Sequence, residues 1–317
     1  GVIDVIKKVT EEGVTTRREF ISTISALGVS GLSPNSLLAQ TQMPQRPIPG
    51  KGEMLPVVGL GSSKVVSQIS SNGMEPLAAV LRALRDSGGR VVDTWPRNPE
   101  NDAGLGQVVN TPDFRDSLFL TTKIDQVGKE AGIEQFRQTQ RLYRRETIDL
   151  VQIFSLIDLD TQWQNLKEWK AEGHARYIGV TVSQYNLYEQ LEEFLGRETP
   201  DFVQMNYSIT ERRAEERLLP LAEDMGLAVL LNRPFMNGAY FRRLEGRALP
   251  EWAAEFDCES WAQFSLKYIL SHPTITCVLT ETSNPHHMEE NARAPLGRMP
   301  DATARARMRS FIDQRSL

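Results

Sequence analysis

The sequence has few of the residues on which metal centres and disulfide frameworks depend. Its 317 residues include two cysteines and four histidines. Cys258 and Cys277 lack the C-x-x-C spacing of a metal or redox site, and the histidines form neither an HxxxH nor an HExxH pattern. The composition therefore predicts no structural metal, and it favours two buried, unpaired thiols over a disulfide.

Long apolar runs and excess positive charge are also missing. With 36 basic and 41 acidic residues the net charge is -5, so no broad positive field is available for a phosphate backbone, and nucleic acid is not an expected partner. Ser and Thr interrupt the longest apolar stretch, which falls short of the roughly 20 apolar residues of a membrane-spanning helix. Hydrophobic residues at 40% are sufficient for a large buried core.

The N-terminal part of the chain has the features of a targeting segment. Residues 16–21 read TRREFI, a weakly apolar run from Phe20 to Leu32 follows, and Ala39 precedes a polar stretch. This segment resembles a twin-arginine export signal, which implies the twin-arginine export machinery as a partner and a periplasmic or otherwise exported location. An amphipathic surface helix is the alternative. Leu37 stands where a small residue usually completes the cleavage site, so the sequence leaves open whether the segment is removed or retained as an anchor.

We assign residues 1–42 to this segment and residues 43–317 to one folded domain. From Pro56 onward, short β-branched or apolar runs alternate with segments of helical periodicity, a pattern that indicates a parallel sheet. The candidate strands are Val57–Gly61, Arg90–Thr94, Leu118–Lys123, Ile148–Phe154, Arg176–Thr181, Phe202–Asn206, Ala228–Asn232 and Thr276–Thr280.

Eight strand and helix pairs predict an α/β fold of the closed (β/α)8 TIM-barrel type. A doubly wound sheet is the weaker alternative, because no G-x-G-x-x-G follows the first strand. A small hairpin around Ile48–Gly52 is expected to close the bottom of the barrel. The mouth at the carboxyl ends of the strands would then be the place for a site.

Six runs of the sequence occur in a characteristic order and spacing. They are Leu55–Gly61, Val92–Thr94, Leu120–Lys123, Ile148–Gln152, Arg176–Val180 and Glu290–Asn291. Over about residues 46–310 the chain resembles the aldo/keto reductases. That resemblance implies the (β/α)8 barrel and the reduction of small carbonyls with a nicotinamide cofactor.

The resemblance also implies four catalytic side chains, an Asp, a Tyr, a Lys and a His. Asp93 and Lys123 match two of them, whereas Asn98 stands at the tyrosine position and Phe154 at the histidine position. Loss of a general acid is expected to lower the rate by about 10² to 10⁴. Two alternatives stay open: Asp93 and Lys123 could be only a structural ion pair, and Tyr207 could supply the missing hydroxyl.

The cofactor positions implied by the resemblance are also altered in places. They fall on Thr181, Gln204, Glu281, Thr282, His287, Glu290 and Asn291. A carboxylate at Glu281 would repel a 2′-phosphate but could accept a hydrogen bond from a ribose hydroxyl, so NAD(H) is favoured over NADP(H) if a dinucleotide binds. Val182 replaces a polar residue that would hold the carboxamide.

Three further residues at strand ends are candidates for substrate binding. Arg97 and Arg233 could bind an anionic group or neutralise nearby carboxylates, and Trp95 could line an aromatic cleft with Phe154 or simply pack there. Three functions remain in competition: a reductase-like enzyme with altered catalysis, a redox-independent enzyme that uses Lys123 and Asp93, and a non-catalytic protein that binds a small molecule.

Overall fold

The computed structural model describes residues 42–315. The predicted targeting segment, residues 1–42, lies outside the described residues apart from its last position. From Met43 onward the chain forms one compact unit.

Strands form a short antiparallel hairpin and a closed parallel barrel. The hairpin consists of β1 (Gln45–Pro47) and β2 (Met54–Pro56). The barrel strands are β3 (Val58–Gly61), β4 (Val91–Asp93), β5 (Phe119–Ile124), β6 (Ile148–Phe154), β7 (Ala175–Thr181), β8 (Phe202–Asn206), β9 (Ala228–Asn232) and β10 (Cys277–Glu281). β10 pairs with β3, and the remaining strands follow in chain order to β9, which confirms the predicted (β/α)8 barrel.

Helices follow the barrel strands. They are α1 (Ser63–Ser67), α2 (Ile69–Asn72), α3 (Glu75–Asp86), α4 (Pro99–Val109), α5 (Lys129–Tyr143), α6 (Leu159–Glu172), α7 (Tyr188–Leu195), α8 (Leu218–Met225), α9 (Ala239–Leu244), α10 (Trp261–Leu270), α11 (Pro285–Arg293) and α12 (Ala302–Asp313). Apolar side chains at three- and four-residue spacing turn each long helix toward the sheet; in α3, Leu77, Leu81 and Leu84 are fully buried. Within residues 42–315 no helix has the length and apolar character needed to cross a bilayer.

The β1–β2 hairpin closes the bottom of the barrel. Ile48, in the loop between its strands, is 1% exposed and packs with Leu55 among interior barrel side chains such as Phe119 and Leu150. Glu53 fixes the hairpin from outside this contact by accepting hydrogen bonds from Arg90 and from the barrel strand β7. The predicted bottom hairpin is therefore present, and the carboxyl ends of the strands form the open mouth.

Both cysteines are buried free thiols, as predicted. Cys277 lies in the barrel interior, and Cys258 precedes α10. Among the described residues no group of three or more His, Cys, Asp or Glu side chains is placed to hold a metal ion.

Candidate active site

Asp93 and Lys123 form an ion pair at the mouth. Because β4 and β5 are neighbours, the two side chains meet at their carboxyl ends, with Lys123 Nζ 2.6 Å from Asp93 Oδ1. Lys123 Nζ also donates to the carbonyl oxygen of Thr94 at 3.0 Å, and the Thr121 hydroxyl donates to Asp93 Oδ1 at 2.6 Å. The lysine side chain is 6% exposed. These contacts fix the ammonium in one position, with two acceptors recorded for its three N–H bonds.

A buried tyrosine lies behind this pair. The Tyr143 hydroxyl is 2.9 Å from the Thr94 hydroxyl, which in turn donates to the carbonyl oxygen of Thr121 at 2.5 Å. Tyr143 is completely buried, and burial raises its pKa well above the usual value for a phenol. Its hydroxyl therefore belongs to the support of the site, closed off from the mouth.

Asn98 is exposed and acts as the N-cap of α4. Its side-chain oxygen accepts a hydrogen bond from the backbone N–H of Asn101 at 2.9 Å, which satisfies one of the free donors at the helix start. Within residues 42–315 no hydrogen bond connects Asn98 with Asp93 or Lys123. A hydrogen bond from Asn98 to a carbonyl oxygen could come only from its amide nitrogen, because an amide oxygen does not donate.

Phe154 forms part of an aromatic stack. Its ring lies against Trp95 with centroids 4.0 Å apart and an angle of 24° between the planes. The indole N–H of Trp95 donates to Asp125 Oδ2 at 3.0 Å, which fixes the ring across the ends of β4, β5 and β6. The guanidinium carbon of Arg97 lies 4.9 Å from the centre of the Trp95 ring. The structure thus brings together three residues that the sequence placed in a substrate cleft.

The loop that carries Trp95 and Arg97 is held by a residue that the sequence analysis missed. The buried carboxylate of Asp102 accepts hydrogen bonds from the backbone N–H of Arg97, at 3.0 and 3.2 Å. Burial raises the pKa of Asp102 to about 6, although the contact with Arg97 acts in the opposite direction. An acidic residue in the first turn of a helix is so common that the sequence gave no reason to single it out.

Thr181, the last residue of β7, and Gln204, in the middle of β8, are both buried. Gln204 Oε1 accepts a hydrogen bond from Gln152 Nε2 at 2.8 Å, and its backbone oxygen accepts one from Val182 N at 2.9 Å. Gln152 Oε1 is buried without a recorded partner in the described chain. The sequence did not indicate a role for Gln152, because it does not show which side-chain partner a polar residue in the middle of a strand will have.

Five of the seven predicted cofactor residues line one cavity of about 340 Å³ at the end of β10 and the start of α11. They are Glu281, Thr282, His287, Glu290 and Asn291, and the remaining wall consists of Phe235, Phe241, Ser260, Trp261 and Ala262. The three aromatic residues of this wall come from the segment after β9 and from α10. None of the six sequence runs that carry the resemblance includes these segments. The cavity has a flat apolar wall and a polar wall, the combination that a nucleoside needs.

Glu281 lies between this cavity and the mouth. Burial raises the pKa of its carboxyl group, and the charges of Arg97 and Lys64 act in the opposite direction. Glu281 nevertheless keeps an exposed surface, so its carboxylate remains available to a ligand.

Arg233, at the end of β9, has a left-handed backbone with φ of 55°. Its guanidinium donates to the carbonyl oxygen of Ser183 at 3.0 Å, and its Nε is buried without a recorded partner among the described residues. Such a conformation costs a non-glycine residue about 1 to 3 kcal/mol and is found most often at functional sites.

Tyr207 does not supply a hydroxyl to the site. It is fully buried, its hydroxyl donates to Glu215, and Arg305 donates to the same hydroxyl at 3.1 Å. Burial raises the pKa of Tyr207 far above the usual value. The hypothesis that Tyr207 replaces the missing tyrosine is therefore wrong, because its hydroxyl joins β8 to α12.

Several curated relatives resemble the chain over part of its length. Aldo-keto reductase YhdN of Bacillus subtilis is 26% identical over 192 residues, which is 56% of this chain and 56% of the relative. The NADH-specific methylglyoxal reductase of Escherichia coli is 25% identical over 229 residues, 59% of this chain and 68% of the relative. The chain spans 56% of YhdN and 60% of the uncharacterized oxidoreductase YqkF of Bacillus subtilis.

Solved structures share the fold over most of the chain. An aldo/keto reductase from Klebsiella pneumoniae in complex with NADP and acetate superposes with a TM-score of 0.71 and 21% identity, covering 86% of this chain and 95% of the other. The holo form of an aldo-keto reductase from Bacillus halodurans gives 0.69 and 22%, with 85% and 96% covered. The model of the aldo/keto reductase family matches residues 57–304. With the barrel and the Asp93–Lys123 pair already described, this match shows that the chain belongs to the aldo/keto reductase family.

Proposed function

We propose that this chain is an exported aldo/keto reductase-like oxidoreductase with a degenerate catalytic site, acting on a small carbonyl or alcohol. The observation that carries the proposal is the buried ion pair of Lys123 and Asp93 at the mouth, with a third lysine N–H left for a ligand. In this proposal the ammonium group of Lys123 donates a hydrogen bond to the carbonyl oxygen of the substrate. Asp93 and Thr94 hold that ammonium group in position. No tyrosine hydroxyl is hydrogen-bonded to Lys123 in residues 42–315, so protonation of that oxygen is expected to be slow.

The residues around the 340 Å³ cavity fit the adenosine half of a nicotinamide dinucleotide. Trp261 and Phe241 offer faces for a base, and Glu281 can accept from a ribose hydroxyl. When bound, such a cofactor supplies or accepts the hydride. The fit is poorer at the nicotinamide end, because the side chain of Val182 cannot form a hydrogen bond and Gln204 Oε1 already accepts one from Gln152.

We further propose that NAD(H) is preferred over NADP(H). Solved relatives bind NADPH or NADP, whereas the E. coli relative is named NADH-specific, so the family accommodates both cofactors. Glu281 supports NAD(H) here, since a carboxylate and a 2′-phosphate carry like charges and repel each other at close range.

Titration with NADH and NADPH, followed by calorimetry, tests this proposal. NADH is expected to bind at least tenfold more tightly than NADPH, and Glu281→Gln is expected to remove most of that difference by improving NADPH binding. Glu134→Gln, an exposed change on α5, serves as the control and should leave both affinities unchanged. Absence of binding by either nucleotide at millimolar concentration would reject the dinucleotide-dependent function.

A second candidate function follows from the same ion pair. A buried lysine with a fixed carboxylate can act as a base, a nucleophile or an anion anchor without any redox step. In that case a substrate would be converted without nucleotide, and Lys123→Met would abolish the conversion. The aromatic stack would equally suit a protein that binds a small molecule without turning it over, an alternative that any measured turnover excludes.

A further inference from the structure

The guanidinium of Arg97 lies over an aromatic ring at the mouth. Trp95 is anchored at its edge by Asp125 and stacks on Phe154, and Arg97 lies over the same indole. A guanidinium over an aromatic ring is attracted to the face of that ring, and this attraction uses none of its N–H hydrogen bonds. The stack therefore restricts the motion of Arg97 without consuming its donors.

No acceptor takes up those donors in the described part of the chain. Arg97 is exposed, and neither a side-chain hydrogen bond nor an ion pair within 4.0 Å is formed by its guanidinium among residues 42–315. By contrast, Arg298 is paired with Asp257 and Arg212 with Asp313. An oriented but unpaired guanidinium at the rim of a catalytic-type mouth is a ready receptor for a planar anion.

The nearby carboxylates do not take this place. Asp102 is buried and accepts the backbone N–H of Arg97, so it fixes the loop rather than the guanidinium. Glu281 is close enough for the charge of Arg97 to lower its pKa, but no ion pair within 4.0 Å joins the two side chains among residues 42–315.

We propose that Arg97 is a substrate-recognition residue for a carboxylate, and that the substrate is a small organic acid with a flat, apolar body. The carboxylate would bind the free edge of the guanidinium in a bidentate manner, and the body would lie along the Trp95–Phe154 side of the mouth toward Lys123. This inference rests on the proposed function, because it names the substrate class of the same site.

The probes for the test are cinnamate and cinnamamide, which share a flat apolar body and differ in charge. Calorimetry on the full-length protein without nucleotide is expected to give at least tenfold tighter binding of cinnamate. Arg97→Met keeps an apolar stem over Trp95 but removes the donors, so it should bind the two probes equally. Arg97→Lys keeps the charge but loses the planar fork and should retain only part of the preference.

Arg141→Met, on the outer face of α5, is the matched control and should preserve the full preference. Equal binding of the two probes by the unmodified protein, no binding of cinnamate at millimolar concentration, or an unchanged preference in Arg97→Met would each overturn the inference. Titration of the same samples with NADH separates the two proposals. Intact NADH binding without a cinnamate preference rejects only the carboxylate site, whereas failure of both rejects the proposed function as well.

Discussion

Asp102 shows how one buried carboxylate can order a binding mouth. It accepts the backbone N–H of Arg97, so the direction of the loop that carries Trp95 and Arg97 depends on it. Because the group is 5% exposed, it loses much of its hydration in the folded state. That loss disfavours the charged form and raises the pKa of Asp102 from the usual value near 3.8 to about 6.

This pKa predicts a specific pH dependence of stability. Below about pH 4 the carboxyl group is protonated in the folded and the unfolded chain, and it contributes no pH dependence. Between about pH 4 and 6 the carboxyl group of Asp102 ionises in the unfolded chain but stays protonated in the folded one, so the free energy of unfolding falls as the pH rises. This group lowers it by at most about 3 kcal/mol, and the loss persists at higher pH. Asp102→Asn keeps an acceptor for Arg97 N and should lack this component.

The measurement is urea unfolding at pH 4.5 and pH 7 for the unmodified protein, Asp102→Asn and the exposed control Asp116→Asn. The stability of Asp102→Asn relative to the unmodified protein should rise between the two pH values, and Asp116→Asn should show no comparable rise. If Asp102→Asn and the unmodified protein changed in parallel, Asp102 would not be the buried acid described here.

Residue types at the site could be predicted from the sequence, but the directions of several side chains could not. Asp93 and Lys123 are predicted by the resemblance to the aldo/keto reductases, and the structure brings them together because neighbouring strand ends meet. Asn98 and Tyr207 follow strand ends in the same way, yet one caps a helix and the other binds Glu215. A polar side chain just beyond a strand can form hydrogen bonds with several nearby groups, and its position in the sequence does not show which of these bonds it forms.

The hairpin of β1 and β2 is the element that determines which end of the barrel can be a site. Its loop inserts Ile48 between interior side chains, while Glu53 forms hydrogen bonds with side chains on neighbouring strands. A barrel interior closed in this way contributes stability through burial and leaves binding to the other end.

Ile48→Ala is expected to destabilise the protein by about 2 to 5 kcal/mol, because it removes a buried side chain and leaves a cavity that surrounding strands cannot fill. Met54→Ala in the same hairpin is the control, since Met54 is 43% exposed and should cost less than about 0.5 kcal/mol. Denaturant unfolding of both variants gives the comparison. Equal stability of Ile48→Ala and Met54→Ala would show that the hairpin is not part of the cooperative core.

At the scale of elements the sequence was informative because strand and helix have different hydrophobic periods. β6, β8 and β9 have the predicted bounds, and the other barrel strands differ by no more than one residue at either end. The cavity beside β10 was only half predicted, because its aromatic wall joins residues far apart along the chain, such as Phe235 and Trp261. No local pattern marks contacts of that kind.

At the scale of the whole molecule, the barrel and the N-terminal segment pose one combined question. The twin-arginine route carries proteins that have already folded. This order suits the barrel, because it closes only when β3 and β10, the first and last barrel strands along the chain, have paired. An enzyme that acquires a nucleotide before export would gain from the same order of events. If the protein is exported by this route, as we propose, the barrel folds before it crosses the membrane.

Replacing Arg17 and Arg18 together by Lys is expected to keep the protein in the cytoplasm, because this export route depends on the guanidinium pair. Cell fractionation of a bacterial host with an active twin-arginine system, with and without the double change, measures the effect. Replacing Lys7 and Lys8 by Gln, outside the TRREFI run, is the control and should leave export intact. Export of the double-lysine variant at the unmodified level would favour the amphipathic-helix interpretation of this segment. If export is lost but the retained protein binds NADH normally, the barrel has folded without crossing the membrane. The two arginines would then be needed for export and not for folding.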